Sequence, residues 1–217
     1  MNGIVGFKPT VGLLSQEHII PISSTQDTAG PMTLTVKGSA IMMDAMTEND
    51  GSYVDNLSKT IPQSTTIGIL SFARGGNIGV NKNFNEAIEE LKAKGFNFVE
   101  IESWDPGEGF FEAAYKVLKY EFKSTLNNYL STTNTKVEVR SLKDLIEFNK
   151  KDERELKIFD QSIFLSSEKL DDLNSEDYKK SLKLILNATR ENGIDKLMEQ
   201  YNLDFLMAPS AAPTFLI

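Results

Sequence analysis

Short apolar runs broken by Gly and Pro open the chain. Gly3, Gly6, Pro9, Gly12, Pro21, Gly30 and Pro31 punctuate stretches such as GIVGF and GLL, which predicts loops and short strands up to Pro31. The pattern then changes period. Met32, Val36, Ala40, Met43 and Met46 recur at helical spacing, with Thr33 or Thr35 as N-cap, and predict a helix over about 33–46. Residues 47–65 are polar and rich in turn formers, which reads as a surface excursion. TIGIL at 66–70 and FNFVEI at 96–101 read as strands around a helix over about 84–94 that buries Phe84, Ala87, Ile88 and Leu91. Strand, helix and strand in that order predict a parallel pair in a helix-covered sheet.

From about 108 the periodicity is almost wholly helical. Phe110, Phe111, Ala114, Val117, Leu118, Phe122, Leu126 and Tyr129 give a long buried face over about 108–130. Ser141 followed by Asp144 signals another helix start, with Leu142, Leu145, Ile146 and Phe148 inward. Leu156, Phe159 and Ile163 mark a third helix. Ser175 opens a fourth, with Tyr178, Leu182, Ile185, Leu186 and Thr189 as its stripe, and Gly193 separates it from a short helix ending near Tyr201. Residues 203–213, LDFLMAPSAAP, read as a last buried strand running into a loop. There is no internal repeat. The expectation is an α/β fold: one domain over 1–217 with a partial mixed sheet flanked by helices, mainly helical over 108–201.

Composition narrows the chemistry. With 31 Asp and Glu against 23 Lys and Arg, the net charge of -8 argues against a nucleic-acid partner, which needs a basic stripe. No Cys and one His exclude disulfides and thiolate chemistry and leave no basis for a nitrogen-rich metal site, so neither cofactor nor metal is expected. No run of about 18 apolar residues is present, so no membrane span is expected, and a cytoplasmic protein is the default. Both ends are apolar, GIVGF and PTFLI, where termini are usually polar; this reads as a segment of a larger sheet, with strand edges that seek partners.

NGIVGFKPTVGLLS, IIPISSTQDTAGPM, TVKGSAIMMDAM, LKDLIEFN and LDFLMAPSAAP together resemble the amidase-signature family, the Ser-cisSer-Lys amide hydrolases. Residues 1–46 are the most specific part of that resemblance, which covers essentially the whole chain. It implies a large mixed sheet between helices and hydrolysis of carboxylic amides by a Lys base, a bridging Ser and a nucleophilic Ser, all of which precede the motif that begins here. No residue of this sequence matches a triad position. The expectation is therefore a family fragment without catalytic residues, inactive alone. The alternatives are a non-catalytic interaction module, or a subunit complemented by a chain that carries the triad. Expected partners are a second copy through exposed strand edges, or the missing N-terminal half, and a small amide substrate in intact relatives. The resemblance also places Ser24, Thr25 and Asp27 on the wall of the substrate channel.

Other candidates are weighed against plainer readings. Ser23, Ser24 and Thr25 beside Asp27 suggest a nucleophile with its orienter, but Asp and Thr in a Gly-Pro loop ordinarily bind free backbone N–H groups. Ser166 to Lys169 has Ser-x-x-Lys spacing without the motifs that accompany it in penicillin-recognising enzymes, so chance is the expectation. RGGNIG at 74–79 follows a strand and precedes a helix, yet Gly75, Gly76 and Gly79 do not give G-x-G-x-x-G, and a helix starting near Phe84 would miss a phosphate held by them. His18 beside Glu17 reads as solvent-exposed, Lys8 as a structural contact, and Glu48, Asp50 and Asp55 as solvated acids lacking the spacing of a calcium loop. Asn56 and Asn187 begin glycosylation-like triplets that mean little without a secretion signal. Glu121, between Leu118 and Phe122 near an apolar face, reads as a partly buried, paired carboxylate.

Overall fold

The computed structural model describes residues 3–47 and 52–210. Its contacts group into two compact units, each assembled from separated stretches of a chain that the sequence reads as one domain. Met1–Gly6, Pro31–Glu108 and Leu186–Ile217 form the first; Phe7–Gly30 and Gly109–Ile185 form the second.

In the first unit, β1 (Val5–Gly6) pairs antiparallel with β2 (Met32–Thr33). Because Met32 and Thr33 belong to that pair, the helix expected from 33 begins later, as α1 (Val36–Thr47). Thr35 caps it: its Oγ1 accepts the Gly38 N–H at 3.0 Å. Part of the excursion that follows is anchored. Asp44, 9% exposed, accepts the N–H groups of Tyr53 and Val54 at 2.8 and 3.1 Å in the short helix α2 (Ser52–Asn56). Of the acidic trio, Glu48 and Asp50 lie outside the described residues, and Asp55 is exposed on α2.

β3 (Thr66–Leu70) is the central strand of a three-stranded parallel sheet, with β4 (Asn97–Ile101) on one side and β5 (Phe205–Met207) on the other. The expected parallel pair is β3 and β4, in the register Thr66 to Asn97 through Leu70 to Ile101. The antiparallel pairing of the expected mixed sheet is confined to the separate β1–β2 pair. The last strand is shorter than the 203–213 anticipated, and residues 211–213 lie outside the described part. Gly68 is required in β3, because a Cβ there would stand 2.6 Å from Leu203 Cδ1 and 2.9 Å from Leu206 Cδ2.

Helix α3 (Ile78–Ala93) covers this sheet by packing Phe84 and Ile88 against Ile69, Phe98 and Met207. It begins well before Phe84 because Asn77 caps it, accepting the Val80 N–H at 3.0 Å. Periodicity missed this first turn because it buries nothing; Ile78 is 87% exposed. The helix-start ground on which a phosphate loop was discounted is thus corrected, since the glycines do adjoin a helix start, while their spacing still does not give G-x-G-x-x-G. That start is nevertheless engaged from within. Arg74 donates to Asn85 and Glu100 and lies over the Phe84 ring.

In the second unit, α4 (Phe110–Thr132) is the spine. It packs Ala113, Val117 and Tyr120 against Tyr178 and Ile185 of α8 (Glu176–Leu186), whose start is capped by Ser175. A second cluster joins Leu126 to Leu142 and Ile146 of α5 (Leu142–Asn149). Ser141 caps α5 as its spacing predicts: Oγ accepts the Asp144 N–H at 3.1 Å, and the Asp144 carboxylate accepts the Arg140 N–H at 3.0 Å. The Arg140 guanidinium closes the far end of α4, donating to the carbonyls of Ser131, Thr133 and Asn134 at 2.7–3.2 Å. The single helix expected across Leu156, Phe159 and Ile163 is two: α6 (Glu153–Ile158) and α7 (Ser162–Glu168). Asp160 divides them by drawing the Ser162 N–H and hydroxyl to its Oδ1 at 2.8 and 2.6 Å. Along the fourth stripe Ile185 is buried while Leu186 is 48% exposed, contrary to the inward placement expected.

Back in the first unit, a π-helical stretch, Asn187–Ile194, departs from helical geometry at Gly193, and α9 (Asp195–Gln200) follows.

Candidate functional site

The site begins with the Gly-Pro loop at the start of the second unit. Gly30 makes its return possible, since a Cβ at that position would fall 2.1 Å from the Phe7 carbonyl oxygen. Within the loop, Asp27 Oδ2 accepts the N–H groups of Ile22 and Ser23 at 2.6 and 2.8 Å, and the Asp27 N–H donates to the Ser23 carbonyl at 3.0 Å. Asp27 therefore folds the backbone and orients no hydroxyl. The plain reading of the Ser23, Ser24, Thr25 and Asp27 group fits these bonds better than a nucleophile with its orienter.

The hydroxyls on either side of Ser24 turn inward to one acceptor. Glu121 on α4 is fully buried and takes the Ser23 hydroxyl at 2.5 Å, the Thr25 N–H at 3.2 Å, and the Thr25 hydroxyl at 3.0 Å. Tyr178 on α8 donates its phenol to the same carboxylate at 2.8 Å. Desolvation, reinforced by this bond to Glu121, pushes the Tyr178 phenol far above its ordinary range, so it stays a donor. Expected as partly buried and paired, Glu121 is buried completely, and among the described residues its partners are hydroxyls and an amide, not a cation. One residue before Tyr178, Asp177 accepts from Lys116 at 2.9 Å and Tyr120 at 3.1 Å. The Lys116 bond chiefly holds the Asp177 carboxyl below the usual range and raises the Lys116 ammonium.

A cavity of about 860 Å³ lies between this loop and the C-terminal half of α4. Gln16, Pro21, Ser24, Asp27, Asn128 and Tyr129 are among its lining residues. Ser24 and Asp27 thus face the cavity, whereas Thr25 is spent on Glu121 and is absent from the lining. Of the carboxamide and phenol that α4 adds, Asn128 gives no signal in the sequence, and Tyr129, expected as part of the buried face of that helix, lines the cavity instead.

The remaining candidates stand apart. His18 is a rim residue with φ +65°, 90% exposed and 3.6 Å from Glu17. Lys8 donates to the Pro9 carbonyl at 3.3 Å, a structural contact. Ser166 donates to the Ile163 carbonyl within its own helix, and Lys169 does not reach it. Among the described residues no cluster of acidic, Cys or His side chains could hold a metal ion, and no helix is long and apolar enough to cross a membrane.

The Amidase family model matches residues 1–217. A protein named "Probable amidase" from Arabidopsis thaliana is 31% identical over 222 residues, covering 95% of this chain and 42% of that protein. A glutamyl-tRNA(Gln) amidotransferase subunit from Ligilactobacillus salivarius is 38% identical over 94 residues, 43% of this chain and 19% of that one. Among solved structures, the native peptide amidase of Stenotrophomonas maltophilia is 30% identical with a TM-score of 0.81, covering 97% of this chain and 46% of that one. A peptide amidase in complex with the competitive inhibitor chymostatin is 31% identical, also with a TM-score of 0.81. The chain spans less than half the length of these relatives. On a family match over its whole length, the chain belongs to the amidase family.

Proposed function

We propose that this chain supplies one wall of the substrate channel of an amide hydrolase, and that alone it does not hydrolyse amides. The observation that carries the reading is the family match over residues 1–217 together with a span of 45–46% of the peptide amidase structures. Amide hydrolysis needs a nucleophile, a base within hydrogen-bond reach and donors for the oxyanion. By the motif resemblance, no residue here matches the family's Lys or serines, and among the described residues no lysine amine is hydrogen-bonded to a serine hydroxyl. The test is turnover of a chromogenic anilide by the purified chain. The expected rate equals that of a buffer blank, and turnover that follows the chain through purification overturns the proposal.

A second reading, that another polypeptide brings the catalytic residues, is favoured by one feature. Around β2 and the first turns of α1, Met32 (74%), Leu34 (84%) and Val36 (60%) expose apolar surface that a partner would cover. The amidotransferase relative, whose name describes it as one subunit of an enzyme, is consistent with this. Mixing the chain with a polypeptide that carries the family's Lys and serine segment restores anilide turnover under this reading, and leaves the mixture silent under the first.

A further inference from the structure

We propose that a second cavity, in the first unit, is a saccharide-binding site that takes a pyranose ring, a neutral ligand with several hydroxyls and apolar C–H faces. The cavity, of about 510 Å³, lies between the loop after β4 on one side and the π-helical stretch with α9 on the other. It shares no residue with the cavity of the second unit, and its assignment does not rest on the amide-hydrolase reading.

The two walls are tied to each other. Trp104 in the loop donates its indole N–H to the Ala188 carbonyl of the π-helical stretch at 3.3 Å, and its ring centre lies 6.3 Å from that of Phe72. Gly193 permits this approach, since a Cβ there would stand 2.6 Å from the Ala188 oxygen and 3.6 Å from the indole nitrogen. Asp105 closes the turn of the loop, accepting the Gly107 N–H on Oδ1 at 2.8 Å. Stretches of π-helix recur at functional sites, and this one gives Asn187, Ala188 and Asn192 to the lining.

The charge of the lining then selects the ligand. Asp105 and Lys196 are its only ionic side chains, one of each sign, and among the described residues neither is in an ion pair. An anion is repelled by Asp105 and a cation by Lys196. The remaining polar groups are neutral. Asn192 donates to Asn187 Oδ1 at 2.7 Å and Asn187 donates to Glu191 at 2.6 Å, which leaves the Asn192 side-chain oxygen open. The Ser103 and Tyr201 hydroxyls and the Gln200 carboxamide have no hydrogen-bond partner among the described residues. Such groups both donate and accept, as sugar hydroxyls do. Lys196 and Gln200, four positions apart, share one face of α9. The rings of Trp104 and Tyr201 add the apolar surface on which the C–H face of a pyranose rests. A zwitterion would satisfy the two charges and leave the neutral groups and both rings without counterparts, whereas a saccharide meets them all.

Trp104 is the single tryptophan of the chain, so its fluorescence reports on this cavity alone. The 217-residue chain is titrated with methyl β-D-glucopyranoside, methyl β-D-galactopyranoside and N-acetyl-D-glucosamine. The titrations run to about 50 mM, above the roughly millimolar dissociation constant that a few exposed hydrogen bonds allow. At least one sugar is expected to shift the emission saturably, while sodium acetate and methylammonium chloride do not. Asp105→Asn, which keeps an oxygen for the Gly107 N–H, and Gln200→Ala are each expected to weaken binding about three- to tenfold. Their thermal midpoints stay at the wild-type value because both side chains are exposed. The absence of a saturable shift with every sugar overturns the assignment. So does a shift that the folded variants reproduce at wild-type affinity, and so does a shift given by free glycine and by none of the sugars. Either variant decides the matter where the other does not fold.

Discussion

Replacing Glu121 by alanine leaves the Ser23, Thr25 and Tyr178 hydroxyls facing an apolar void, and a buried donor without an acceptor costs more than the bond it made. The expected loss is about 2–4 kcal/mol in urea unfolding, with Glu121→Gln at about half, because the amide oxygen still accepts. A second residue gives a pH signature. Lys116 holds the Asp177 carboxyl low, so this contribution is complete above the ordinary carboxylate value of about 4 and is lost as pH falls through the lowered one. The raised Lys116 works in the opposite direction: its share is present below 10.5 and lost as pH climbs through the raised value. Both side chains are partly solvated, so the effect is small and salt-sensitive. Asp177→Asn should flatten the acid limb of a stability–pH curve and leave the plateau at neutral pH nearly unchanged.

Elements that announce themselves by a buried face and a cap were legible in the sequence, and elements made by local side-chain competition were not. Ser141 with Asp144 read correctly because both halves of the capping exchange stand at fixed spacing. Asp160 did not: the apolar positions 156, 159 and 163 suggest one helix, but its carboxylate outcompetes the backbone and leaves Phe159 64% exposed in the break. Asp160→Ala removes the carboxylate that accepts the Ser162 N–H and hydroxyl at the start of α7 and should cost about 1 kcal/mol by denaturant unfolding. The start of α3 was invisible for the converse reason, a first turn without buried residues. The same logic governs the candidate site. The Gly-Pro loop was readable as a motif, and Ser24 and Asp27 do face the cavity. Glu121 was noticed as an anomaly on an apolar face, but nothing local could pair it with Ser23, Thr25 and Tyr178, since those partners are set by how α4 and α8 pack.

For the whole molecule, the exposed apolar side chains on the β2–α1 segment set its behaviour in solution. Such a surface lowers free energy when covered. The chain is expected to self-associate with rising concentration in sedimentation velocity, and Leu34→Lys with Val36→Lys to restore a monomer without lowering the thermal midpoint, since neither side chain is packed. The carboxylate that grips the Gly-Pro loop has a further effect, one of timing. Ser23 and Glu121 are separated by 98 positions, and Tyr178 lies a further 57 beyond Glu121. During synthesis the loop emerges long before either anchor, and contacts so distant along the chain are made late. The cavity is thus among the last parts of the molecule to mature, and a nascent or C-terminally shortened chain lacking α8 would carry every residue that lines it yet hold them in no fixed arrangement.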